Sequence, residues 1–425
     1  MKNFSFPHFN NKNNSLKEVI WMLAAASFVL PVAWNNILLA MVFMVNILTG
    51  SNKSFQSNIR QPVFWVPMLL FGWYVLSVLN STHTTEAWHY AERKLTLFLL
   101  PLSFAFVLKL EDNVIQKVLK CYTGSVLLAA MYCLQRAYVM HQFTGSTEYY
   151  YYHNLSDFIS VNAIYFSAYV AFAISLLWVN RRSWQLNTIL WAGILLFLIC
   201  ILFLLASKLV LVVLFLFLAA QQFITGWSLK KRVIAGMATV VLVLILFLSN
   251  QFVLKRYLTE WNTDFSVVKQ EQYFYNTPFS GSSLRLVLWK HSLHIIREQQ
   301  AWIAGVGTGD FQDLLNQRYL ESGMFMGDQR RGDKGYEGYN PHNQYVEAFL
   351  STGALGLSCL LFWLVCLFLQ SYKVRKPEYS YLIVFVSVLC LTECFLSANK
   401  GIVWFVFFSY LLVNTKPNTV KGDLK

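Results

Sequence analysis

Runs of mostly apolar residues, about 15 to 25 long and divided by short polar connections, recur along nearly the whole chain. A helix of that length crosses a bilayer, because it rises about 1.5 Å per residue and the hydrocarbon core is about 30 Å thick. The pattern predicts spans near residues 19–34, 35–49, 63–80, 95–109, 114–140, 158–179, 186–205, 208–225, 232–250, 343–369, 379–396 and 399–414, about twelve in all. Pro31, followed by Trp34-Asn35-Asn36, supplies a polar break that divides the first two into short helices. The expected fold class is all-α, a polytopic membrane protein. One long polar stretch interrupts the pattern, which divides the chain into 1–250 with nine spans, a loop domain at 251–342, and 343–425 with three spans and a tail.

Composition agrees. Of 425 residues 56% are hydrophobic, 17% aromatic and only 13% charged, whereas soluble domains run near 25% charged. A soluble single-core fold is excluded. The net charge of +13 has its first explanation in cationic loops held on the cytoplasmic side, not in nucleic acid. Lys53/Arg60, Lys109/Lys117/Lys120, Arg181/Arg182, Lys230/Lys231/Arg232, Lys373/Arg375/Lys376 and Lys416/Lys421/Lys425 are separated by even numbers of spans and so share a side. Lys2, Lys12 and Lys17 join them if residues 19–49 cross twice, placing both termini in the cytoplasm and the long loop outside. Short outer connections hold Arg93, Lys94, Arg136, Lys208 and Lys400. Ala24-Ala25-Ala26 imitates a cleavage site, but a further apolar run follows at once, so an uncleaved first span is expected. The seven cysteines fall in or beside apolar runs and read as small buried residues, not as a disulfide framework or metal site.

Candidate chemistry gathers in and around the loop. Ser283–Gln299 predicts an amphipathic helix with Leu284, Leu288, His291 and Ile295 on one stripe and Ser282 or Ser283 as cap. It carries Arg285 four residues before Trp289; a solvated helix position explains that Arg as well as a binding role does. Gly305-Val306-Gly307-Thr308-Gly309 resembles a phosphate-binding turn but follows a helix and lacks a P-loop's Lys-Ser/Thr, so a tight packed turn is expected. Pro341-His342-Asn343-Gln344-Tyr345 stands where the loop returns to the membrane. There an imidazole of ordinary pKa near 6.5 takes a proton at neutral pH, with Asn343 placed to orient the ring or a sugar. Lys208, after Ser207 between two apolar runs, either snorkels or pairs with an anion, and Lys400 invites the same two readings. His291 and His294 share a helix face, but no further ligand completes a metal set. Tyr149 to Tyr152 and Trp302 suit either sugar stacking or an interfacial belt, and Glu393 is the clearest charge inside a span.

The order of these features resembles the O-antigen ligases and their superfamily of O-antigen polymerases and O-linked protein oligosaccharyltransferases. The features are the spans, a long outer loop between the ninth and tenth, Arg285-x-x-x-Trp289, Gly305 to Gly309, His342-Asn343 and Gly353-Ala354-Leu355-Gly356. The resemblance implies a metal-independent, cofactor-free glycosyltransferase of the bacterial inner membrane, working at the periplasmic face on a glycan carried by undecaprenyl diphosphate. It implies His342 and Arg285 as catalytic residues, with Lys208, Asn343, Trp289 and Tyr345 as substrate-binding ones. Where the family usually has Arg, this chain has Lys208, which lacks the planar fork that grips phosphate twice. Lipid A-core is the first acceptor expected, the growing glycan the second and a protein hydroxyl the third; membrane lipids surround the chain and no nucleic acid is expected. A transporter of lipid-linked sugars is the rival from another class, and it would place ionisable groups deep in its spans.

Overall fold

The structure, a computed structural model, describes residues 11–224, 258, 263–328 and 332–416. The expected span at 232–250, Lys230/Lys231/Arg232, and the tail lysines 421 and 425 lie outside the described residues, as does Lys2. The described chain is all-helical, with isolated bridges at Leu110–Thr415 and Asp328–Asp333 and no strand. In order the helices are α1 (Asn11–Ala26), α2 (Val32–Leu48), α3 (Asn52–Asn58), α4 (Pro62–Leu76), α5 (Thr84–Arg93), α6 (Thr96–Ala105), α7 (Asp112–Thr144) and α8 (Tyr152–Ser156). There follow α9 (Ala163–Val179), α10 (Thr188–Leu204), α11 (Lys208–Ile224), α12 (Gly281–Glu298), α13 (Phe311–Glu321), α14 (Gln344–Val374), α15 (Pro377–Leu389) and α16 (Asn399–Val413).

Among the described residues, three stretches are long and apolar enough to cross a membrane unaided: Pro62–Asn80, Asp112–Thr144 and Gln344–Val374. The other apolar helices are shorter or bent. The 158–179 run starts as a helix only at Ala163, where Asn162 caps it, and the preceding Tyr152–Ile159 turns away by 79°. In the 95–109 run, only Thr96–Ala105 is α-helical. Pro31 is the N-cap of α2, as the break predicts, but Asn35 and Asn36 are inside the helix, where buried Asn35 donates to Ser27 Oγ at 2.8 Å.

Helix α16 is apolar on every face, and Lys400 to Val413 are all buried. A helix of that kind belongs at the centre of a bundle. It is fastened by polar tips of aromatic residues: Trp404 donates to the Tyr122 hydroxyl at 3.0 Å and Tyr169 to the Lys400 carbonyl at 2.8 Å. Ile37, Met41, Met44, Leu361, Val365 and Phe368, each near half exposed, make an outer surface suited to lipid tails. Lys400 neither snorkels nor pairs with an anion; its ammonium donates to the carbonyls of Phe28 and Leu30. At one end of the bundle Lys376 meets Asp112, Lys416 approaches Glu111 at 3.7 Å and Lys117 meets Glu18 at 2.8 Å. Lys376, Lys416 and Lys117, three of the cations assigned to one side by span parity, thus lie at the end opposite Asn343, the start of α14.

Two backbone devices tie the polar segment to the helices. Helix α14 breaks at Gly353 (φ 66°, ψ −167°), and the freed amides of Ala354 and Leu355 bond the carbonyls of Trp302 and Ile303 at 2.8 and 3.3 Å. In return Val306 and Gly307 donate to Leu350 and Ser351. A Cβ on Gly305 would stand 2.4 Å from the Thr352 nitrogen, and one on Gly353 2.2 Å from the Ile303 oxygen. Only glycine allows that approach in the left-handed region. The glycine turn is therefore a packed turn, as expected. Its far side seats on the end of α4: Thr308 and Gly309 amides bond Ser77 and Ser81 hydroxyls at 3.1 Å each.

The second device ends α15 early. The 379–396 run is helical only to Leu389; beyond it the carbonyls of Cys390, Thr392 and Leu396 and the Leu396 amide bond other segments. Gln344 donates its amide to the Cys390 carbonyl and its side-chain oxygen accepts from Leu396, both at 2.8 Å. Buried Glu347 accepts from Tyr90 at 2.6 Å and from Ser397, and Lys94, also buried, donates to the Leu396 carbonyl at 2.7 Å. Glu393 therefore sits in a braced turn at the bundle's end and not inside a span.

Candidate active site

Helix α12 begins with a reciprocal cap. The Ser280 hydroxyl accepts from the Ser283 amide, and the Ser283 hydroxyl from the Ser280 amide. The cap thus lies at Ser280, ahead of the expected Ser282 or Ser283, so the helix starts at Gly281, two residues before the expected Ser283. The helix buries Val287, Leu288, His291, Ile295 and Ile296. Arg285 lies on another face, its side chain 29% exposed. Its Nε donates to the Thr392 carbonyl at 2.9 Å, Nη1 to Gly281 at 3.1 Å and Nη2 to Glu393 Oε1 at 2.8 Å. Three of five N–H groups hold the fork in place and two remain for a ligand.

His342 reaches the same carboxylate from the loop's other end. Its Nδ1 lies 3.1 Å from Glu393 Oε2, and the ring meets Tyr339 edge-on at 5.7 Å. Next to a carboxylate Nδ1 carries the proton, which leaves Nε2 with the lone pair. The backbone at His342 is left-handed (φ 46°), and its amide donates to Asn340 Oδ1 at 2.9 Å. A non-glycine residue held there is strained by about 1–3 kcal/mol, a cost often met at functional sites. Trp289 pins the turn from below by donating to the Pro341 carbonyl at 2.9 Å. Asn343 does not orient the ring: its Oδ1 caps α14, accepting from Tyr345 and Val346 amides at 2.9 and 3.1 Å. The Tyr345 hydroxyl donates to the Ser387 carbonyl at 2.8 Å, which ties α14 to α15.

Arg285 and Glu393 open on a cavity of about 430 Å³ that Lys208, Ser207, Tyr152 and Thr392 also line. Lys208 is the first residue of α11, just past Ala206, another left-handed position at φ 50°. Two cations and one carboxylate, with the amide-rich start of a helix, make a site suited to an anion. Apolar Ile164, Leu209, Val212 and Leu389 complete the wall, so an anionic head joined to a hydrocarbon chain fits both surfaces.

Other candidates fall elsewhere. Trp302 packs near Phe349 with rings 6.1 Å apart, and of the four tyrosines Tyr152 lines the cavity. His291 is buried between Tyr273 and Tyr319; burial, helped by Arg318 and Lys290, drops its pKa to about 4, and it is neutral at pH 7. His294 pairs with Glu298 at 2.7 Å. No three His, Cys, Asp or Glu converge as metal ligands among the described residues, and all seven cysteines are unbridged. The residue that joins the site is Glu393, which the sequence marks only as a lone acid in an apolar run. That signal is genuine, since an ionisable group at such a place is a functional candidate by default.

Residues 194–361 match the family described as O-Antigen ligase. The match supports the O-antigen ligase family and covers Lys208, Arg285, Trp289, the glycine turn, His342, Asn343, Tyr345 and Gly353 to Gly356, while Glu393 lies beyond it. No curated protein matches the chain. Apolar helices and the family match together support a membrane protein, in a family whose members are glycosyltransferase-like enzymes.

Proposed function

We propose, proceeding from the O-antigen ligase family, that this chain transfers a glycan from undecaprenyl diphosphate to an acceptor hydroxyl at the periplasmic face of the inner membrane. The observation that carries the reading is the single carboxylate of Glu393 bonded on one oxygen to Arg285 and on the other to His342, beside a cavity that Lys208 shares. The periplasmic side follows from span parity, which puts the clustered lysines of the opposite end in the cytoplasm.

In this mechanism the donor's diphosphate lies in the 430 Å³ cavity, against Lys208 and the outward N–H groups of Arg285. Negative charge on the leaving oxygen grows as the bond to the anomeric carbon breaks. Fixed cations therefore stabilise the transition state more than the ground state. His342 Nε2 accepts the proton of the acceptor hydroxyl as its oxygen bonds the anomeric carbon from the face opposite the diphosphate. Configuration inverts. Glu393 holds the ring and stabilises the imidazolium without taking the proton itself, and the proton then passes to water. No metal has a part in these steps. Lipid A-core is the first acceptor in this reading, because a lipid-anchored acceptor and a lipid-anchored donor meet naturally at one interface; the end of the growing glycan is the alternative.

The test uses purified protein, undecaprenyl-diphosphate glycan and the candidate acceptors. His342→Ala is expected to lower transfer by about 10²–10⁴-fold, the usual contribution of a general base. Unchanged turnover overturns the assignment.

A further inference from the structure

A second cavity, of about 680 Å³, lies beyond the other end of α12. Its wall includes Asn80, Gln299, Gln300, Gln317, Asp310 and Asp313, and among the described residues no Lys or Arg lines it. That composition is the reverse of the first cavity's. Amides and carboxylates, with His83 bonded to Asp310 as the one imidazole among the described lining residues, are poorly suited to phosphate yet offer paired donors and acceptors to hydroxyl groups. Ile303, 68% exposed on the same wall, supplies an apolar patch of the sort that the C–H face of a sugar ring covers. The volume is within the roughly 300–1,000 Å³ of ordinary small-molecule sites.

The wall is rigid. Asp310 accepts from the amides of Thr82 and His83 at 2.7 and 2.8 Å and from the His83 ring at 2.9 Å. Burial pushes its carboxyl up, but these backbone and ring donors outweigh burial and hold it below the usual range, so it stays ionised. Asn80 donates to the Gly305 carbonyl at 3.0 Å, and Gly305 is locked into the break of α14. The Asn80 and Asp310 side of the pocket is therefore set before a ligand arrives, and such pre-organisation favours binding.

Its position is as informative as its chemistry. At about 1.5 Å per residue, Trp289, which holds the His342 turn, lies about 12 Å along α12 from Gly281, and Gln299 about 15 Å further. Helix α13 forms the partition: Asp313 and Gln317 line the cavity, while Gln312 donates to the Tyr339 carbonyl at 3.2 Å, and the Tyr339 ring meets His342 edge-on. Cationic cavity, imidazole and amide cavity follow one another along a single helix.

We propose that this second cavity binds a neutral oligosaccharide, as the subsite for the sugars of the acceptor one or more units away from the reacting hydroxyl. The proposal rests on the glycan-transfer reading for its role, but the binding itself does not. An incoming hydroxyl is then held at His342 by contacts that never touch the reacting atoms, which is how remote binding energy lowers a barrier through orientation.

The experiment is an array of immobilised oligosaccharides, neutral and phosphorylated, up to five units long, probed with the full-length protein in detergent micelles and no lipid donor. Retention of at least one neutral class is expected. Gln300→Ala with Gln317→Ala, both exposed, is expected to weaken it by about tenfold. Asp313→Asn, also exposed, provides a second variant and is expected to weaken it about threefold. His342→Ala should bind the array as the parent does, which separates this site from the transfer reading. Retention of no neutral glycan, retention of phosphorylated glycans only, or full retention by both cavity variants overturns the proposal. Undiminished transfer by His342→Ala sinks the catalytic assignment and leaves the binding result standing.

Discussion

Two cavities stand at the two ends of one helix, and they are electrostatic opposites. At the start of α12, Arg285 and Lys208 share a pocket with apolar residues of α9, α11 and α15. Past its end, Gln299 and Gln300 share a cavity with Asp310 and Asp313, and among the described residues no Lys or Arg lines it. The first is made for a charged head with a hydrocarbon tail, the second for something uncharged and hydroxylated. A transferase that joins a lipid diphosphate's cargo to a water-exposed acceptor needs both surfaces and a base between them. The contrast teaches that the helix is the ruler of the site, since it sets the separation that a substrate pair must span.

The comparison breaks most sharply at its midpoint. Beyond the loss in His342→Ala, Glu393→Gln is expected to lower kcat by about 10²-fold while the acceptor KM changes little, because the amide cannot hold both the imidazole and the guanidinium in their present state. Steady-state kinetics with both substrates check this; a wild-type kcat makes Glu393 a brace and nothing more.

Next comes the cationic end. Arg285→Lys keeps the charge but loses the fork that bonds Thr392, Gly281 and Glu393 together, and an approximately 10–100-fold fall in kcat over donor KM is expected. Lys208→Ala should act on the donor alone, raising its KM about tenfold with the acceptor KM unchanged. If both variants raise the acceptor KM instead, the donor has been placed at the wrong end of α12.

At the amide end, Gln300→Ala with Gln317→Ala is expected to raise the acceptor KM about tenfold at constant kcat. A drop in kcat without a change in KM would instead mean that this wall supports the fold.

The smallest effect concerns the ruler. His291 on the buried face of α12 has its pKa lowered to about 4, while an unfolded histidine titrates near 6.5. The unfolded chain therefore binds the extra proton first, and its stabilisation, at most about 3 kcal/mol, is lost as pH falls from about 6.5 to about 4. Protease sensitivity of the loop, followed against pH, should rise across that window and rise less in His291→Gln. A flat profile in the parent protein removes His291 from the account.

Much of this was legible in the order of residues. The break at Pro31, the packed character of the Gly305–Gly309 turn, an amphipathic helix bearing Arg285, and the shared end of the lysines all follow from period, breaker residues and charge. Each is a local property, and local propensities survive into the fold. The helix limits at Leu389, Ala163 and Ala105 were not legible. Apolarity alone does not say whether a backbone carbonyl will be bonded by its own helix or by a distant Gln344 or Arg285.

Chain order, then, pointed to an all-helical membrane protein and put His342, Arg285 and Lys208 forward as candidates. Tertiary structure decided which of them meet. Glu393 is 51 residues from His342 and 108 from Arg285, so no periodicity or spacing could couple them. The hydrogen bonds by which Asn343 caps α14 and Tyr345 reaches Ser387, and the existence of two unlike cavities, came from the tertiary structure in the same way. A cavity is the space that distant segments leave between them, and that space is defined only after their backbones have found partners for every buried polar group.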